Sequence, residues 1–105
     1  MIVSYLPRGC KAFFKKHAAA TLAIKQAIQA QLQRQVVTGM TKVKPACSER
    51  FAGERVWECR VNQADIGSVR LAFIQTGATA TVLLISPVLQ KNRFTQIVER
   101  FIRGA

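Results

Sequence analysis

The residue pattern predicts an α+β fold: one domain over residues 1–105, with an N-terminal strand, a helical hairpin, a three-stranded antiparallel meander and a C-terminal helix. Three observations predict it. Residues 10–36 contain no Gly or Pro and are rich in the helix formers Ala, Lys, Gln and Leu. Three strand-like runs then follow at hairpin spacing, over 55–62, 68–75 and 79–87. Finally Phe94, Ile97, Val98, Phe101 and Ile102 recur at helical spacing, which gives the last segment one apolar face. Helices segregated from a mainly antiparallel sheet predict one sheet face covered and the other open to solvent or ligand.

Taken in order, Ile2 to Leu6 is a short run of β-formers stopped by Pro7-Arg8-Gly9. In the helical segment, Phe13 and Phe14 start an apolar stripe that Ile24, Ile28 and Leu32 continue at i, i+4 spacing. Between them His17-Ala18-Ala19-Ala20 offers no bulky anchor, which predicts a break near Thr21; a single long helix is the alternative. Residues 38–53 carry Gly39, Pro45 and Gly53 with no sustained period, and read as a long basic loop holding Lys42, Lys44 and Arg50. Turn residues Asp65, Gly67 and Ser68, then Thr76-Gly77-Ala78, divide the three strands.

Charge narrows the function. Sixteen Lys and Arg against five Asp and Glu leave a net +11, a field that attracts polyanions, nucleic acid first among them. That disfavours an enzyme for neutral small molecules. Three cysteines, Cys10, Cys47 and Cys59, with no C-x-x-C pair, fit neither a disulfide framework nor a zinc site and predict a reduced, cytoplasmic setting. The N-terminus lacks signal-peptide features, and no apolar run approaches the roughly 18 residues of a membrane span.

Strand parity supplies the site. Side chains alternate between faces, so Trp57, Cys59 and Val61 share one face and Val56, Glu58, Arg60 and Asn62 the other. In the next strand Val69, Leu71 and Phe73 oppose Ser68, Arg70, Ala72 and Ile74. With the first set of each strand in a shared core, Arg60 and Arg70 project together. Their forked donors match the oxygens of a phosphate. Glu58 on the same face is either a candidate general base or the counter-charge of an ordinary ion pair.

The segments Trp57-Glu58-Cys59-Arg60, Arg70-Leu71-Ala72-Phe73, Val82-Leu83-Leu84-Ile85 and Lys91-Asn92-Arg93-Phe94, with the order of elements, resemble the RelE/ParE superfamily of bacterial toxins, including its HigB-like branch. The resemblance implies a RelE-like fold and the toxin of a toxin–antitoxin pair. It implies a ribosome-dependent, metal-independent endoribonuclease that cuts mRNA by attack of a ribose 2′-OH on the adjacent phosphate. In that scheme Arg60, Arg70 and Glu58 are catalytic, while Lys91 and Arg93 in a basic turn contact RNA and Phe94 stacks on a base. Lys42 and Lys44 add RNA contacts from the basic loop. The implied partners are a cognate acidic antitoxin and mRNA on the ribosome, with no membrane and no cofactor. The sole histidine, His17, and the sole tyrosine, Tyr5, lie far from this motif, unlike the C-terminal His or Tyr of many relatives. A ParE-like inhibitor of DNA gyrase and a non-catalytic nucleic-acid-binding module are the alternative functions.

Overall fold

The computed structural model describes residues 1–39 and 43–104. The chain runs β1 (Ile2–Tyr5), α1 (Pro7–Lys16), a 3-10 turn (Ala18–Ala20), α2 (Thr21–Val37), β2 (Lys44–Phe51), β3 (Glu54–Gln63), β4 (Gly67–Thr76), β5 (Thr79–Ser86) and α3 (Lys91–Arg103). The strands form one mixed sheet in the order β1-β5-β4-β3-β2, with β1 parallel to β5 and every other pair antiparallel. The α+β class and the three-strand meander therefore stand.

Two expectations need correction. The segment 38–53 is not a loop throughout, because β2 occupies half of it and pairs with β3 at the edge of the sheet. Ala52 and Gly53, both at positive φ, connect them in a two-residue turn, as a type I′ hairpin requires. The second correction concerns the open face. Both faces carry a core: α1 and α2 bury Cys10, Ile24, Ile28 and Leu32 against Cys59, Leu71, Phe73 and Val82. On the opposite face α3 buries Phe94 and Val98 against Val56, Ala72, Ile74, Leu83 and Leu84. An apolar row of that size needs cover, and α3 supplies it.

Strand β5 serves both cores through a bulge. Ala72 pairs with Leu84 and Phe73 with Val82, so Leu83 is an extra residue in β5. It puts Leu83 and Leu84 together under α3 while Val82 and Ile85 face the other core. Helix α1 closes against this bulge. A Cβ on Gly9 would lie 1.8 Å from the Leu83 carbonyl oxygen, so only glycine fits there. The Val82 carbonyl accepts from the Leu6 amide at 2.8 Å and from the Cys10 thiol at 3.4 Å. Across the molecule, Arg8 stacks 3.8 Å from the Phe101 ring and donates to the Phe101 carbonyl, tying α1 to the end of α3.

Candidate nucleic-acid interface

The site lies where β3, β4 and β5 run past the N-terminus of α3. Parity and register set its rows. Arg60 is the direct cross-strand partner of Arg70, and Glu58 that of Ala72, so Glu58, Arg60 and Arg70 share a face as the alternation predicts. On the far side of β3, Lys44 pairs with Glu58. Lys91 enters from above, as the first residue of α3 rather than part of a turn.

Glu58 is the centre of the cluster and is buried, at 1% exposure. Its Oε1 accepts from Lys91 Nζ at 2.7 Å and from Arg70 Nη1 at 3.3 Å. Its Oε2 is buried without a hydrogen-bond partner among the described residues. Each cation has a second anchor: Lys91 donates to the Pro45 carbonyl at 2.8 Å, and Arg70 Nε to the Leu89 carbonyl at 2.6 Å. One carboxylate thus ties together β2, β3, β4, the segment before α3 and α3 itself. Taking the Glu58 carboxylate out of water costs free energy, which its bonds to Arg70 and Lys91 offset.

Arg60 is placed differently. It is exposed, and its Nη2 donates to Ser68 Oγ at 3.0 Å, with Ser68 Oγ in turn donating to Asn62 Oδ1. Its guanidinium is oriented yet keeps N–H groups facing water. Placing two arginines directly opposite each other on a sheet costs stability, roughly 0.2–1 kcal/mol for such a like-charge pair. Chemically, the end of the sheet is a graded cation cluster: Arg70 held inside by Glu58, Lys91 half-exposed, Arg60 and Lys44 outermost.

The other sequence candidates fall outside this arrangement. Phe94, on the inner face of α3, is fully buried and packs in the core, so it does not stack on a base. Arg93 is exposed on the flank of α3 and has no hydrogen bond or ion pair among the described residues. Lys42 lies outside the described residues. Glu58, buried and committed to two cations, is placed as a counter-charge and not as a base open to substrate. His17 packs against Phe13 in the break between α1 and α2, with ring centroids 4.7 Å apart. Tyr5 lies edge-on to Phe14, and burial, followed by the charge of Cys10, pushes its hydroxyl up from 10.0 to about 12. The Cys59 thiol is likewise raised to about 12, first by burial and then by Glu58, which makes it inert.

Residue spacing gave no sign of the Leu89 and Pro45 carbonyls, nor of Arg34 and Gln31 of α2, which border β3 beside Arg60. Among the described residues no three His, Cys, Asp or Glu side chains cluster as metal ligands, and no helix is long and apolar enough to cross a membrane. No protein-family profile, curated protein or solved structure matches this chain.

Proposed function

We propose that this chain binds the phosphodiester backbone of single-stranded RNA at the basic end of its sheet, and that it acts there on mRNA as the toxin of a toxin–antitoxin pair of the RelE/ParE kind. The observation that carries this reading is the direct pairing of Arg60 with Arg70, flanked by Lys44 and Lys91, around a single buried carboxylate. Solubility alone gives no reason to place guanidinium groups opposite one another, whereas a phosphate between or beside them relieves their repulsion. RNA laid across this end exchanges its condensed counterions for fixed cations. In cleavage, the same cations stabilise the charge that builds on the phosphorane as the 2′-OH attacks. Glu58 is a positioning residue in this scheme: it holds Arg70 and Lys91. The attacking 2′-OH gives its proton to solvent water and the P–O5′ bond breaks, leaving a 2′,3′-cyclic phosphate and a 5′-oxygen that takes up a proton from solvent. The net charge of +11 supports an acidic antitoxin as the neutralising partner.

One observation favours a second reading, a non-catalytic RNA-binding module. Neither Glu58, His17 nor Tyr5 presents a proton acceptor at the exposed arginine end. A single experiment separates the two: end-labelled mRNA on translating ribosomes, incubated with the purified protein with and without a chelator. The toxin reading expects discrete cuts that persist in chelator and vanish with Arg60→Ala. Binding without cuts establishes the module instead. Absence of both binding and cuts, with arrest through broken DNA on induction, would transfer the protein to the gyrase class.

A further inference from the structure

Beside Arg60, but on the α2 side of β3, lies a groove of about 780 Å³ that the site above does not use. Ala27 and Ala30 line it from α2 with small side chains, Gln31 and Arg34 from the same helix, and Arg60 and Asn62 from β3. Its lining contains no acidic residue. A hydrogen-bonded relay organises it: Arg34 Nη1 donates to Gln31 Oε1 at 2.8 Å, and Gln31 Nε2 donates to the Arg60 carbonyl at 3.3 Å. Gln31 therefore has both ends of its amide engaged and serves as a spacer that fixes the Arg34 guanidinium against β3. The remaining Arg34 N–H groups are donors for an anion in the groove.

We infer that this groove is a second phosphodiester site, which receives the nucleotide next to the one held at the sheet end. The inference rests on the RNA-binding reading above and extends it from one phosphate to a strand path. Arg60 makes the two places continuous, since its guanidinium serves the sheet end and its backbone and neighbours wall the groove. Fixed guanidinium forks suit a phosphodiester oxygen pair. The engaged Gln31 amide has little left to read a base edge, so the groove takes backbone irrespective of sequence. The shared arginine is what favours RNA over an acidic peptide.

The test is fluorescence anisotropy with oligouridylates of about 3 and about 10 nucleotides, lengths that bracket one site and an extended path. The native chain should hold the longer oligomer tighter. Arg34→Ala should weaken the long oligomer about tenfold, as loss of a charge-assisted bond does, and leave the short one unchanged. Its log–log salt slope for the long oligomer should fall by about 0.7. Gln31→Ala, which frees the Arg34 fork, should reproduce part of the loss. Arg34 is exposed, so the fold should survive; a thermal melt checks this, and Arg34→Gln replaces the alanine variant if it does not. Unchanged long-oligomer affinity in both variants, with Arg60→Ala still weakening it, overturns the groove and leaves the RNA reading intact. A polyglutamate peptide whose binding depends on Arg34 while RNA binding does not would make the groove a peptide site. No RNA binding at either length would remove both readings together.

Discussion

At the scale of single residues, the decisive fact is the asymmetry of exposure within one ion cluster. The side chain of Glu58 is 1% exposed, that of Arg70 22% and that of Lys91 45%. Removing the buried member leaves two cations facing each other without compensation. Glu58→Ala is therefore expected to destabilise by about 3 kcal/mol, read as a shift in urea midpoint at unchanged slope. Lys91→Met, whose partner retains Arg70 and whose own charge is screened by water, should cost no more than about 1 kcal/mol. Equal losses in the two variants would contradict the arrangement described. The thiols give a second check. Burial pushes Cys10 and Cys59 from 9.0 to about 12, whereas Cys47 is only partly covered. Mild alkylation of the folded protein near neutral pH should label Cys47 alone, with Cys10 and Cys59 joining only on unfolding. Simultaneous labelling of all three would mean the core opens locally.

At the scale of elements, the meander and α3 were legible because their apolar residues keep a clean period. Strand β2 was not: Lys44-Pro45-Ala46-Cys47-Ser48-Glu49-Arg50 has no alternation of apolar and polar residues, and backbone pairing with β3 holds it at the edge. The cover on the second face was implicit in Val56, Ala72 and Ile74, whose apolar character on the arginine face demanded a partner. What spacing alone could not reveal was the 33-residue separation bridged by Lys91 and Glu58, which depends on where α3 docks. Two junctions between elements carry predictions. Gly9→Ala drives a methyl into the Leu83 carbonyl, and should lower the melting temperature by roughly 10 °C or more through strain between α1 and β5. Ala52 adopts φ 52° in the β2–β3 turn, where a side chain without a local hydrogen bond is disfavoured. Ala52→Asn should stabilise by up to about 1 kcal/mol, and a fall in melting temperature would refute the turn assignment.

At the scale of the whole molecule, the pH response follows from groups that must stay neutral. Tyr5, Cys10 and Cys59 hold their protons more tightly folded than unfolded, at about 12 against ordinary values of 10.0, 9.0 and 9.0. Their contribution is complete below about pH 9 and is lost as pH climbs toward 12, because the unfolded chain ionises first. Melting temperature measured across pH 8 to 12 should fall monotonically; a plateau throughout would count against those buried positions. The order of assembly follows from the pairing of β1 with β5. Ile2 meets Thr79 and Tyr5 meets Val82, so among the described strands the first has no partner until the fifth is made. Likewise Glu58 gains its second cation only once Lys91, 33 residues further along the chain, has docked. The basic end of the sheet is therefore finished only when α3 docks, and a chain whose strands have paired without that helix holds Glu58 with one cation instead of two.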